Sequence, residues 1–333
     1  MKNFLFILLF FSAYLSSCQD SSVVESAEKK WIDEKDKLRV LCTTEMVASL
    51  VSSVADDKIA LLVLIKGELD PHSYEPVKGD EEKLFYADLV FYNGLGLEHG
   101  PSLRNYLQGQ EKAVAISKDL LEVHSQRLIE IDGAVDPHIW MDISLFSEGI
   151  KVIERVLKEK DPLHKEIYQK NAVLAYREFQ EKHQSILELV WQLPENKRYL
   201  VTSHDAFNYF AYAYLATEEE KKNGSWKQRV MAPEGLAPEG HLSLHDIKNV
   251  VEHLRRYKIP CLFPEANVNK DAINKVLSAS LEKGMEVSIS RFALYGDSMG
   301  EEGKERGSYF RMLEHNAQSF VQEMSKPSKE EIE

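Results

Sequence analysis

Three histidines sit in loops whose composition suits ligand chemistry. His72 lies in Asp70-Pro71-His72-Ser73-Tyr74-Glu75-Pro76, His138 in Asp136-Pro137-His138-Ile139-Trp140, and His204 in Thr202-Ser203-His204-Asp205-Ala206-Phe207. Asp-Pro-His therefore occurs twice. Proline restricts the backbone beside the histidine, and a carboxylate two residues away can orient the ring. Neutral imidazole is a favoured ligand for zinc and also serves manganese and iron. Its second nitrogen needs an acceptor, and Asp70, Glu75, Asp136 and Asp205 are the neighbouring carboxylates that can supply one. Asp-Pro also starts ordinary turns, so either tripeptide alone reads equally as a capped loop. Three histidines in such loops are harder to explain that way. The remaining eight of the 11 histidines (His99, His124, His164, His183, His241, His245, His253 and His315) lie in polar or helical stretches and read as solvated or capping.

The elements around these loops alternate in type. Arg39–Cys42, Ile59–Ile65, Leu89–Asn93 and Ala113–Ile116 read as strands, separated by helical patterns at Glu45–Val54 and Asp80–Tyr86 and followed by one at Leu145–Leu157. A second series begins near Arg198, with strands at Tyr199–Thr202, Ile259–Phe263 and Met285–Ser288 and helices at His204–Tyr214, Leu244–Arg255 and Lys270–Glu282. Strands alternating with helices predict parallel sheets, whose carboxyl-end loops converge on a cleft. Between the series, apolar residues from Ile167 to Val190 recur at about 3.6 residues. They predict one long helix from Pro162 to Leu193. The expected fold is therefore α/β, with two lobes, each a mostly parallel sheet flanked by helices, joined by one long rigid helix.

The N-terminus reads as an export signal. Lys2 precedes an apolar run from Phe4 to Tyr14, and Leu15-Ser16-Ser17-Cys18 follows. The run is shorter than the roughly 20 residues of a membrane-spanning helix but fits a secretory signal. Small residues before a cysteine resemble a bacterial lipobox, with Cys18 as the lipidated first residue of the mature chain. Expected boundaries are a signal peptide at 1–17, a lipid-anchored flexible tether at 18–36, an N-terminal lobe at 37–161, the bridging helix at 162–193 and a C-terminal lobe at 194–333. The formal charge of −13 argues against a nucleic-acid partner. Cys42 and Cys261 lie in apolar runs and read as buried free thiols, with a disulfide between them as the alternative in an oxidising compartment.

The segment from Ile65 to Gly100 resembles the TroA-like receptors of manganese and zinc ABC importers, which carry Asp-Pro-His-x-Tyr-Glu-Pro, an Ala-Asp-Leu-Val strand and Asn-Gly-x-Gly-Leu-Glu. The likeness continues through Asp136–Trp140, His204–Phe210, Pro264-Glu265 and Leu294–Ser298. The runs at Val77–Glu81, Asn93–His99 and Pro233–Glu239 look most like the chlamydial type. The resemblance implies a ligand set of His72, His138, His204 and Asp297, two from each lobe, with Glu265 as an outer partner. It implies one zinc, manganese or iron ion per chain as cargo rather than a catalytic group. It also implies delivery to an ABC permease with its ATPase, a periplasmic or cell-envelope location, and a monomeric receptor. Dedicated zinc receptors often carry a His-rich loop before the second histidine; Leu120–Val135 holds only His124. The charged segment Thr217–Arg229 has no counterpart in this scheme and reads as a surface loop.

Two other classes remain open on residues alone. An exported zinc hydrolase would need three protein ligands, a water and a base such as Glu265 or Asp297, but the chain has no His-Glu-x-x-His motif. A receptor for a metal chelate would need a wider cleft, which Tyr74, Trp140 and Tyr209 could line.

Overall fold

The computed structural model describes residues 26–237, 242–300 and 308–327. The expected signal peptide and Cys18 lie outside the described residues. Strands β1 (Leu38–Thr44), β2 (Ile59–Ile65), β3 (Leu89–Tyr92) and β4 (Ala113–Ala115) form a parallel sheet in the order β2-β1-β3-β4. Val40, Leu41 and Cys42 are fully buried in the middle of β1. Their side chains alternate, as a strand's period of two requires. Val40 and Cys42 enter the core shared with helices Glu45–Ala55 and Gly149–Lys160, while Leu41 joins Leu84, Leu103 and Leu107 on the other face. Burial on both faces is what a parallel sheet demands.

A short antiparallel hairpin, β5 (Glu130–Ile131) and β6 (Ala134–Val135), leads into the His138 loop. The second half repeats the first half's arrangement with shorter strands. β7 (Leu200–Val201) pairs in parallel with β8 (Val230–Met231), and β9 (Cys261–Leu262) with β10 (Ser288–Ile289). Phe263 N donates to Val201 O at 2.8 Å and ties the two pairs together. The spatial order β8-β7-β9-β10 is thus the counterpart of β2-β1-β3-β4. Helix Lys165–Val190 lies between the halves, preceded by a 3-10 turn at Pro162–His164. It buries Tyr168, Ala172, Ala175, Phe179, Ile186 and Val190 and packs against Glu45–Ala55, Gly149–Lys160 and Tyr309–Met324. One continuous apolar core includes Val40 of the first sheet, Phe179 of this helix and Phe263 of the second sheet.

Three expectations are corrected. Residues 26–36, read as flexible tether, include helix Ala27–Ile32, capped by Ser26; Trp31 is buried and donates its indole N–H to Ala60 O at 2.9 Å. One aromatic anchor in a polar stretch is enough to dock it. Thr217–Arg229 is no bare loop: Thr217 and Glu220 cap helix Glu218–Asn223 reciprocally, and Arg229 is buried against Glu220 and Glu195. The helix expected at His204–Tyr214 starts only at Asn208 and continues as a π-helical turn at Ala211–Leu215. The amides of Ser203 and His204 are claimed by Glu265 Oε1 at 3.0 and 2.9 Å, and that of Asp205 by Gly235 O. Cys42 and Cys261 are buried free thiols, and burial raises the pKa of both.

Candidate metal centre

Four side chains from loops of both halves meet at one point. His72 follows β2, His138 follows the hairpin, His204 follows β7, and Asp297 lies beyond β10. All four are buried, between 0% and 3% exposed. One ligand atom of each lies within 4.8 Å of the others. His72 Nε2 stands 3.2 Å from His138 Nε2, His138 Nε2 3.2 Å from Asp297 Oδ1, and His204 Nε2 3.0 Å from Asp297 Oδ2. His72 Nε2 is 3.6 Å from Asp297 Oδ2.

Those spacings suit a small cation. Ligand atoms about 2.05 Å from a tetrahedral ion lie about 3.4 Å apart, within the 3.0 to 3.6 Å spanned by these four contacts. Both carboxylate oxygens of Asp297 and Nε2 of His204 are buried with no hydrogen-bond partner of good geometry. Burial of unpaired polar atoms is costly, and these atoms, aimed at a common centre, could be satisfied by a metal ion there.

The outer partners differ from ring to ring. Asp136 Oδ1 holds His138 twice, accepting from its backbone N at 2.9 Å and lying 2.7 Å from Nδ1, while Asn208 donates to Asp136 Oδ2 at 3.0 Å. Glu265 does the same for His204: Oε2 lies 2.8 Å from Nδ1 while Oε1 takes the backbone amides. The Asp136 contact puts the proton on His138 Nδ1 and turns its Nε2 toward the centre, whereas Glu265 stands beside His204 Nδ1 as a close charge without good hydrogen-bond geometry. Asp70 instead holds the His72 loop, accepting from the His72 backbone N at 2.9 Å and from Ser73 Oγ at 2.6 Å. Glu75 accepts from Ser102 N at the start of helix Pro101–Gly109 and belongs to that helix end. Asp205 makes no hydrogen bond to an imidazole among the described residues. Burial first, and then Asp136, push its carboxyl up to about 6.

The charges couple strongly. Burial opposes the charged form of His138, but Asp136 and Asp297 outweigh it and raise the ring to about 9. His204 is raised in the same way, against burial, by Glu265 and Asp297. His72 goes the other way: burial, with the neighbouring rings, holds it down to about 4 despite Asp297. Burial works against the Asp297 carboxylate, yet His204 and His138 keep it well below the ordinary range.

Two features beside the centre went unread in the sequence. Gly296 is needed there, because a Cβ would run into Glu265 Oε2 and stand 3.0 Å from His204 Cε1; its carbonyl accepts the Trp140 indole N–H at 2.9 Å. His99 is not simply solvated: its ring packs on His72 with centroids 5.4 Å apart. Its place in a Gly-rich turn carried no periodic signal.

A profile of the family described as "ZnuA: Zinc-uptake complex component A periplasmic" matches residues 40–323. The chain belongs to this family. Among solved structures of similar proteins, Fe(III)-bound YtgA from Chlamydia trachomatis is 36% identical with a TM-score of 0.81, covering 86% of this chain and 97% of that one. The periplasmic zinc-binding protein TroA from Treponema pallidum is 28% identical with a TM-score of 0.77, covering 86% and 99%. The manganese-binding lipoprotein MntA of Bacillus subtilis (strain 168) is 29% identical over 316 residues, 94% of this chain and 96% of that protein. The fold is thus that of the TroA-like receptors. Family members are receptors of metal transporters rather than enzymes, which removes the hydrolase reading.

Proposed function

We propose that this protein is an exported receptor that captures one transition-metal ion on His72, His138, His204 and Asp297 and delivers it to the permease and ATPase of an ABC importer. The supporting observation is the convergence of four buried ligand atoms, from loops of both halves, at spacings that fit one ion. The relatives bind iron, zinc and manganese by their names. Three imidazoles and one carboxylate accept any of these, and affinity order alone favours zinc over manganese. A lipid on Cys18, a monomeric receptor and two lobes bounding the ion complete the proposal; MntA is named a lipoprotein. No helix among the described residues is long and apolar enough to cross a membrane.

A chelate receptor finds less support. Trp140 and Tyr209 are buried and committed to Gly296 O and Asp136 O, and Tyr74 donates to Asp80. None of the three is a free wall for an organic ligand.

The test is metal analysis of the purified protein, followed by competition among manganese(II), zinc(II), iron(II) and iron(III). About one ion per chain is expected from a single closed site, lost in the His72→Ala/His138→Ala variant. Retention of the ion by that variant would refute the ligand set.

A further inference from the structure

We infer that His99 is a relay ligand, on which an incoming ion lands before it passes to His72. The inference rests on the ligand set proposed above. Among the described residues, two rings outside the proposed ligands pack on the histidine trio: Trp140 against His138 at 5.2 Å and His99 against His72 at 5.4 Å. Trp140 is fully buried, whereas His99 reaches solvent. Among these rings, His99 is the one that both touches the trio and reaches solvent.

The geometry suits coordination. The His72–His138 and His138–His204 ring centroids lie 5.2 and 5.6 Å apart. His99 is therefore as near to His72 as those rings are to one another. Its Nδ1 lies 3.2 Å from Gly96 O. A carbonyl only accepts, so Nδ1 carries the proton and Nε2 keeps a lone pair for a metal. There the nitrogen displaces one water from the arriving ion, and His72 Nε2 then takes His99's place.

The loop that carries His99 is tied to the site. Buried Glu98 accepts from Thr43 Oγ1 at 2.7 Å and Asn93 N at 2.8 Å, and Asn93 Nδ2 donates to Pro137 O at 2.9 Å beside His138. Leu95 adopts φ 57° and Gly96 φ 85°, which turn the loop back sharply enough to lay His99 over His72. Such anchoring gives His99 a fixed position instead of a sweeping one.

A relay lowers the barrier in both directions, so its loss slows arrival and departure together and leaves equilibrium affinity unchanged. Stopped-flow mixing of the protein with Co²⁺, followed by the ion's visible absorption, reads both rates. His99→Ala should slow association and chelator-driven release alike by about tenfold, with the dissociation constant held. His99→Phe keeps a ring over His72 but cannot ligate, and should behave like His99→Ala. His99→Phe with unsubstituted rates would make the ring a mere cover and overturn the relay. So would faster association in His99→Ala, the mark of a steric gate, or a weakened dissociation constant with association unchanged, the mark of a fifth holding ligand. No Co²⁺ uptake by the unsubstituted protein would overturn the ligand set and the relay together. Normal uptake with unchanged rates in both variants would overturn the relay alone.

Discussion

His138 and His204 are rings whose neighbours favour the proton, and that sets how the centre responds to acid. A group raised to about 9 is protonated below that value, so at pH 7 an arriving ion must displace the proton from His138. His204, raised in the same direction, adds to this, whereas His72, held near 4, is neutral and adds nothing. Apparent affinity should therefore climb with pH toward 9 instead of levelling off just above the range of an unperturbed histidine. Calorimetric titration in buffers of different ionisation enthalpy should show about two protons released per ion at pH 7; none released would contradict the charge arrangement. Glu265→Gln is the companion experiment. It removes the charge behind His204 while keeping the shape, and binding should weaken by about 10–100-fold. An unaltered dissociation constant would leave Glu265 as a loop brace only. The two Asp-Pro-His loops stood out in the sequence because each proposed ligand and its loop carboxylate are two residues apart. Glu265 was undervalued because it meets His204 across 61 residues, a distance at which local pattern says nothing.

At the scale of elements, the strands and the long helix were readable, since a parallel strand buried on both faces is a plain apolar run and an amphipathic helix keeps its period. What escaped reading depended on tertiary competition. Residues after β7 have helical character, yet 203–207 form a loop held through its amides by Glu265 and Gly235, and the helix begins at Asn208. Helix Ala27–Ile32 is likewise held by contact more than by propensity, since six residues are too few to be helical alone. Trp31→Ala should cost about 3 kcal/mol if its burial counts as a core position, read as a lower midpoint in chemical denaturation. A chain starting at residue 37 should lose comparable stability. No change in either would mean that the helix rests on the sheet without supporting it.

For the whole molecule, the ion site and the core make the same demand. The proposed ligands come from both halves, and so does the apolar core that includes helix Lys165–Val190. An ion that binds only the folded arrangement adds stability by mass action, about 4 kcal/mol at a thousandfold excess over the dissociation constant. Calorimetry should show an upward shift of the unfolding transition on adding metal, and none in His72→Ala/His138→Ala. A shift that persists in that variant would place the stabilising ion elsewhere. The docked N-terminal helix has a consequence for reach as well. With a lipid on Cys18, the chain has eight residue steps to Ser26, where the helix cap begins. Chain dimensions limit that stretch to about 28 Å when fully extended. The receptor would then work on a short leash, searching for its permease in two dimensions along the membrane and meeting it far more often than a freely diffusing protein could.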